Sequence, residues 1–299
     1  MKRWLFLFLS CTFFWASWAQ YTSPVSQESA ADTTKVFEET TLSYEACVSR
    51  ALGALMNTDS LAVAQRYLET ALRKSPYSPS NHVVHELLGR IFLQRNQPKD
   101  ALRAYNESLR LKPIYLPALE LRAQLYAAQK DFDAAYADYS AILSEVAPSE
   151  TEYLRKILLA RADISFKQEK MERAASDLER VLRTAPKDIQ ANLLLAYVHQ
   201  KMGREEEAQM RVNVMVETYP QNATCLMTRA HFSFLRKEYD EAIDDYNAAL
   251  TLEPQNGTLF AQRAAVLERL GRIRAARLDR EQARKLGCSE EEIEYYTAK

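Results

Sequence analysis

The stretch ATCLMTRAHFSFLRKEYDEAIDDYNAALTLEPQN, from Ala223 to Asn256, decides the fold of this chain. It places small residues, Ala230 and Ala242, within two segments that read as helices. Two antiparallel helices approach closely only where a small side chain replaces a bulky one, so these alanines indicate a helix pair. Pro254 cannot continue a helix and ends the second segment. The stretch therefore predicts a helix–turn–helix unit of 34 residues.

The same plan recurs along most of the chain. Pro186, Pro220 and Pro254 are each 34 residues apart. A self-similar period of this length is typical of stacked helix pairs. Alignment on the small residues gives seven repeats, which we number one to seven: 45–78, 82–115, 116–149, 155–188, 189–222, 223–256 and 257–290. Short insertions, 79–81 and 150–154, interrupt the period. In repeat one, Leu52 stands where a small residue is expected, with Gly53 beside it, which suggests a phase slip of one residue.

The repeated pattern of alanines, tyrosines and a closing proline resembles the tetratricopeptide repeat family. The resemblance implies an all-α fold, a right-handed α-solenoid of about seven helix–turn–helix repeats of 34 residues plus a C-terminal capping helix. Ser289 and Glu292 fit a capping box after Gly287, which is suited to a helix C-cap. We therefore expect residues 289–299 to form a short capping helix and tail over the last open face.

The N-terminus differs in kind from the repeats. A basic start, Met1-Lys2-Arg3, precedes the apolar run Trp4–Trp15 and small residues up to Ala19, which is typical of a secretory signal peptide at residues 1–19. The alternatives are an uncleaved N-terminal anchor and a lipoprotein modified at Cys11. Residues 20–44 are rich in Ser, Thr, Glu and Ala and predict a flexible spacer. The sequence thus predicts an exported bacterial protein, periplasmic or associated with the outer envelope, with no stable membrane span after cleavage.

Composition and motifs argue against several classes of function. The formal net charge is −1 with no block of like charge, so nucleic acid is not an expected partner. No phosphate-binding loop, nucleophile elbow or zinc helix is present in the sequence, and we expect no enzyme, no catalytic residue, no cofactor and no metal. His82 and His85 are three residues apart, but two histidines do not make a complete metal site. We interpret them as surface or packing residues.

Four repeats carry arginine at their seventh position and aspartate sixteen residues later, and the other three repeats lack both. These candidate structural ion pairs are Arg122 with Asp138, Arg161 with Asp177, Arg229 with Asp245 and Arg263 with Asp279. Joint presence or absence suggests that the two side chains meet between the two helices of one repeat. The alternative is a ladder of arginines for an acidic ligand. We favour the ion pair, because a ligand-binding arginine needs no matched aspartate.

The family resemblance implies that positions two, five, nine, twelve and thirteen of each first helix line a concave groove. In repeats four to six these positions give a candidate peptide-binding groove: Lys156, Leu159, Asp163, Phe166, Lys167, Leu193, Tyr197, Lys201, Met227, His231 and Phe234. Apolar and aromatic residues with lysines nearby suit an extended or helical peptide. The alternative is that Leu159, Phe166 and Leu193 pack between repeats.

These observations predict an exported protein-interaction scaffold that binds a partner polypeptide, of unknown identity, in the groove of repeats four to six. A second reading is a structural subunit of a cell-envelope assembly that uses its convex face or its ends. An enzyme or metal-binding protein is the remote third. Exposed apolar surface separates the first two, because a patch in the groove favours peptide capture and a patch elsewhere favours assembly.

Overall fold

The computed structural model describes residues 41–56 and 60–297, and within them every regular element is an α-helix. The expected all-α solenoid class, helix pairs followed by a short final helix, is confirmed in these ranges. The predicted signal peptide, the alternative lipidation at Cys11 and most of the predicted spacer lie outside the described residues. Among the helices that are described, none is both long enough and apolar enough to cross a membrane.

The chain divides into two compact units, one up to Gln168 and the other from Glu169. The first unit contains seven helices within its described residues: α1 Tyr44–Leu55, α2 Leu61–Lys74, α3 Asn81–Gln94, α4 Pro98–Leu111, α5 Leu116–Ala128, α6 Phe132–Glu145 and α7 Thr151–Lys167. Successive helices α1 to α6 form three pairs, and Pro98 occupies the first turn of α4, where its missing N–H is tolerated.

The second unit contains eight helices within its described residues: α8 Met171–Thr184, α9 Ile189–Lys201, α10 Glu205–Thr218, α11 Ala223–Leu235, α12 Tyr239–Leu252, α13 Gly257–Arg269, α14 Ile273–Lys285 and α15 Glu290–Thr297. Asp188, Asn222 and Asn256 each accept a backbone N–H at the start of a first helix, which satisfies a donor that the helix itself cannot pair. Helices α9 to α14 are the pairs of repeats five, six and seven.

Small residues set the closeness of each pair. The alanines that the sequence places at the helix crossings, including Ala230 and Ala242, are fully buried. In repeat two the small residue is Gly89, and a Cβ there would lie 2.7 Å from Cδ1 of Tyr105, closer than packed carbon atoms come. Tyr105 is itself fully buried, so its ring fills the space that glycine leaves.

Two local features differ from the sequence-based expectation. In repeat one the buried small residue is Ala51, whereas Leu52 is 46% exposed and Gly53 faces open space, so the phase shifts toward the N-terminus rather than to Gly53. The insertion 150–154 is not a separate linker, because α7 begins at Thr151 and absorbs it as an added helical turn. Leu154 lies in that turn and is buried, which anchors it.

The turn inside each helix pair uses a left-handed residue at position fifteen of the repeat. Its φ is positive in repeats two to seven: Asn96 (57°), Lys130 (64°), Glu169 (59°), Gly203 (75°), Lys237 (67°) and Gly271 (69°). In repeat six the backbone N–H of Glu238 donates to Ser233 O at 2.9 Å and that of Lys237 to Phe234 O at 3.0 Å, which closes the end of the first helix. Only two of these six turns use glycine.

The C-terminal helix α15 packs on the last repeat. Gly287 has a φ of 93° and ends α14. The backbone N–H of Ser289 donates to Glu292 Oε2 at 2.8 Å, and the N–H of Glu292 donates to Ser289 Oγ at 3.2 Å, so the capping box is present. Ile293 is buried against Ala261 and Ala283, one from each helix of repeat seven. Helix α15 therefore covers apolar surface on both helices of repeat seven.

Candidate functional site

Three of the four arginine–aspartate pairs lie within hydrogen-bond distance between the helices of one repeat. The arginine Nε and Nη2 both donate to the aspartate carboxylate, at 2.7–2.8 Å, in Arg122–Asp138, Arg229–Asp245 and Arg263–Asp279. The aspartate side chains are only 8%, 10% and 9% exposed. This bidentate geometry raises the pKa of Arg122 and of Arg229, mainly through the hydrogen bonds to the carboxylate.

The fourth pair is divided between the two compact units. Arg161 lies on α7 of the first unit, and Asp177 lies on α8 of the second unit, where it is buried. Within its own unit, Arg161 donates to Ser140 Oγ at 3.0 Å, and its guanidinium lies 5.1 Å from the ring centre of Tyr136. The pairing of Arg161 with Asp177 stays a prediction.

The arginines also reach the preceding repeat, a contact that the sequence analysis missed. Arg122 Nη1 donates to Asn106 Oδ1 on α4 at 2.7 Å, and Arg263 Nη1 donates to Asn247 Oδ1 on α12 at 2.7 Å. A signal for this contact exists in the sequence, because an uncharged polar residue stands at position 25 of every repeat that precedes an arginine-bearing one. These residues are Asn106, Ser140, Asn213 and Asn247. Each observed arginine contact of this kind thus links consecutive repeats.

Repeat five lacks the ion pair and carries a positive charge at the position where the arginine-bearing repeats carry the aspartate. Position seven is Leu195, and the position of the aspartate is taken by Arg211. Arg211 Nη1 donates to Asn192 Oδ1 at 2.8 Å, and its Nε has no hydrogen-bond partner among the described residues. Burial lowers the pKa of Arg211, and the carboxylates of Glu179 and Glu207 oppose that effect. Glu179 stands at position 25 of repeat four, where arginine-bearing repeats are preceded by Asn or Ser.

In the first unit, three of the five candidate groove residues of α7 are charged, and all three are already paired. Lys167 Nζ lies 2.6 Å from Asp163 Oδ2, and Lys156 forms an ion pair with Glu120 of α5. Leu159 is half-buried, and Phe166 is buried. The polar character extends to repeat two, where Arg90 pairs with the buried Glu86. These first helices therefore present a network of internal ion pairs.

In the second unit, the candidate residues of α9 and α11 form a different, more aromatic surface. The ring of Tyr197 lies 6.1 Å from that of His231, centre to centre, which brings α9 and α11 together at this point. Phe234 is half-buried and lies 5.9 Å from the ring of Tyr239. Met227 is half-buried on the same helix, and Lys201 is exposed at the end of α9.

Two of the candidate residues on α9 lie in the interior. Leu193 is 4% exposed and packs in the core of repeats five and six. Tyr197 is 3% exposed, and burial raises the pKa of its hydroxyl well above the usual value, while Tyr295 and Tyr296 of α15 add to the rise. Both side chains thus serve packing in this conformation, as does Phe166 in the first unit. The accessible part of the surface consists of Lys201, Met227, His231 and Phe234, next to the exposed Leu235.

The histidines of repeat two have local structural partners. His82 Nδ1 lies 2.8 Å from Pro79 O, and its ring meets Tyr115 edge-on at 4.7 Å. Burial lowers the pKa of His85. In the part of the chain that is described, no group of three or more His, Cys, Asp or Glu side chains is arranged to hold a metal ion.

Helix pairs of 34 residues, with alanines at their crossings and a left-handed residue in their turns, define a class of repeat proteins. Tetratricopeptide repeat models match residues 53–113, 86–150, 165–231 and 223–256, which together cover more than half of the sequence. The chain therefore belongs to the tetratricopeptide repeat family.

Comparison with individual proteins gives similarity in fold and a modest similarity in sequence. Anaphase-promoting complex subunit 7 of Dictyostelium discoideum is 26% identical over 193 residues, which is 64% of this chain and 32% of that relative. The chain thus spans only about a third of that relative's length. A tetratricopeptide repeat protein from Parabacteroides merdae has a crystal structure that is 24% identical with a TM-score of 0.70, covering 85% of this chain and 97% of that one. PilW, described as a type IV pilus biogenesis factor, is 16% identical with a TM-score of 0.54, over 71% and 94% of the two chains.

Proposed function

We propose that this chain is an exported protein-interaction scaffold that binds a partner polypeptide on the first helices of repeats five and six. Membership of the tetratricopeptide repeat family supports the scaffold role. The relative that is 26% identical is, by its name, a subunit of a complex. Export is proposed from the pattern of residues 1–19 alone.

The composition of the α9–α11 surface is the observation that carries the binding proposal. Half-buried Phe234 and Met227 offer apolar and aromatic contact area. They would lose little side-chain conformational entropy on binding, because packing against the core already restrains them. Leu235 is 45% exposed beside them, and Lys201 supplies a positive charge in solvent. Such a surface suits an amphipathic peptide that carries an apolar anchor and an acidic residue. The charged side chains of α7 in the first unit already have internal partners, so they are less available to bind a peptide.

Site-specific photo-crosslinking in cells of the source organism tests this proposal. A photoreactive amino acid at Phe234 or Leu235 should crosslink one partner protein, because those side chains would touch it. The matched control is the same amino acid at Ala248 or Thr251, exposed positions on α12. The crosslinked segment of the partner, made as a synthetic peptide, should bind the purified protein, and Leu235→Glu should weaken that binding at least about tenfold by placing an acidic side chain on an apolar contact.

Crosslinks that form only at Ala248 and Thr251 would contradict binding on the first helices. So would a Leu235→Glu variant that keeps the affinity of the native chain. The helical signal in circular dichroism, measured for each variant, ensures that a loss of binding is not a loss of fold.

Assembly through the second helices is the other candidate, and a specific observation favours it. In the second unit, five large apolar side chains on second helices are more than 40% exposed: Met210, Val214, Leu252, Ile273 and Leu278. On the first helices of that unit, Leu235 has comparable exposure. Exposed apolar surface of this kind is expected where a protein docks on another.

A further inference from the structure

Two second helices in the second unit expose large apolar side chains. On α10, Met210 is 62% exposed and Val214, one turn later, is 47% exposed. On α14, Ile273 is 63% exposed and Leu278 is 60% exposed. Isolated exposed apolar residues are ordinary, but Met210 and Val214 share one face of α10, and such grouped side chains cost free energy unless another surface covers them.

The charges around these two groups have opposite signs. Helix α10 begins with three consecutive exposed glutamates, Glu205 to Glu207, beside Met210. The exposed charged residues of α14 are all basic: Arg274, Arg277, Arg284 and Lys285. Opposite fields on two apolar surfaces steer them toward each other and suppress contact between like surfaces.

Part of the basic charge on α14 is already balanced within the chain. Arg277 lies 3.3 Å from Glu281, Arg284 lies 2.6 Å from Glu290, and Arg280 pairs with Glu268. Neither Arg274 on α14 nor Glu206 on α10 has an ion-pair partner among the described residues, so both charges remain available to a second surface.

A depression between α13 and α14 gives this surface a shape. It is lined by Glu268, Ile273, Arg277, Arg280 and Arg284. The methylene stems of arginine form apolar walls while their guanidinium groups stay in water. An unbranched thioether side chain is well suited to an irregular hollow of this kind, and Met210 on α10 is such a side chain.

We propose that the occupant is a second copy of this chain, with α10 of each copy packed against α14 of the other. In this arrangement Met210 enters the depression beside the partner copy's Ile273, and the glutamates at the start of α10 face the arginines of α14. Since one chain carries both complementary surfaces, a two-fold axis forms the contact twice. The proposal does not depend on peptide binding, because α9 and α11 take no part in it.

Sedimentation equilibrium of the purified mature chain tests the proposal. We expect a reversible dimer that weakens as salt increases, because opposite charges contribute to it. Double reversal Glu205→Arg with Glu206→Arg, or Arg274→Glu with Arg277→Glu, should each weaken the dimer at least about tenfold. An equimolar mixture of the two variants should dimerise more tightly than either variant alone, because α10 of one then complements α14 of the other.

Glu172→Arg on α8 is the matched control, since it reverses an exposed charge outside both surfaces and should leave the dimer intact. Met210→Ser should weaken the dimer more than Met210→Leu, because only leucine keeps the apolar group. A chain that stays monomeric at every concentration examined would overturn the proposal. A dimer that neither double reversal affects would overturn it as well. Neither result bears on crosslinking at Phe234, which tests the peptide-binding face separately.

Discussion

Repeats five and six are neighbours with the same plan, yet they place different charges between their two helices. Repeat six has an arginine and an aspartate there, and repeat five has a leucine and an arginine. In repeat six, Arg229 donates two hydrogen bonds to Asp245, and this raises the pKa of the arginine. In repeat five, Leu195 takes the place of the arginine and Arg211 that of the aspartate, and burial lowers the pKa of Arg211. The two helices of repeat five therefore pack together without an ion pair. The ion pair of repeat six is thus not required for helix packing, but it restricts which residues can replace either partner.

The largest expected effect is the removal of one partner in repeat six. Asp245→Ala should lower the free energy of unfolding by ~3–5 kcal/mol, because it leaves a half-buried guanidinium without its carboxylate. Asp245→Ala combined with Arg229→Met should cost less, because no charge is then left unpaired. The control in repeat five is Arg211→Met, which should cost about 1–2 kcal/mol, less than Asp245→Ala, since it removes one hydrogen bond to the buried Asn192 and breaks no bidentate pair. Urea unfolding measures all three, and equal stability of the single and double variants would disprove the coupling.

A smaller effect on the free energy of unfolding is expected when the arginine and aspartate of repeat six are introduced at the equivalent positions of repeat five. Arg211→Asp alone should cost about 3 kcal/mol, because it buries a carboxylate that faces Glu179 and has no cation. Adding Leu195→Arg should recover much of that loss by placing a guanidinium between the two carboxylates. A double-mutant cycle from urea unfolding gives the coupling energy. No recovery in the double variant would mean that the backbone of repeat five cannot hold the pair.

For the turn inside each helix pair, we expect substitutions to change the free energy of unfolding by about 1 kcal/mol. Gly203 in repeat five and Lys237 in repeat six occupy the same left-handed position, with φ of 75° and 67°. A side chain at such a position costs about 1 kcal/mol relative to glycine. Lys237→Gly should therefore raise the melting temperature, and Gly203→Lys should lower it. If both changes had the same sign, charge rather than backbone geometry would govern these turns.

The smallest expected effect is a pH dependence at position eleven of the repeat, where repeat five has His199 and repeat six has Ser233. Burial lowers the pKa of His199, and the guanidinium of Arg211 lowers it further, whereas the equivalent residue of repeat six is Ser233. As pH falls through the unfolded value of about 6.5, the unfolded chain takes up a proton that the folded chain resists, so stability decreases. His199→Asn should flatten this slope by less than about 1 kcal/mol between about pH 7 and about pH 5. Chemical unfolding at several pH values measures it.

The sequence predicted what the repeats share, because seven copies in one chain act as their own comparison. The alanines at the helix crossings and the Arg229–Asp245 contact are such features. The spacing of sixteen residues gives each arginine one partner within its own repeat, so it does not predict the contact from Arg263 to Asn247, although position 25 carries that signal. The burial of Tyr197 could not be read from its position in the repeat, since that position fixes the side of the helix but not what covers it. Lys237 gave no sign of a left-handed turn, because the surrounding structure overrides its own backbone preference.

The contact from one repeat's arginine to the helix before it has a consequence for how the array opens. Because Arg263 binds Asp279 and Asn247 together, separating α13 from α12 removes a hydrogen bond from the same guanidinium that forms the ion pair within repeat seven. Unfolding one repeat thus removes contacts that stabilise both that repeat and its neighbour. In stacked arrays, such contacts between neighbouring repeats set how many repeats unfold together. Repeats six and seven, which also share one buried core, should therefore exchange their amide hydrogens as one block, and Asn247→Ala should weaken the coupling between them.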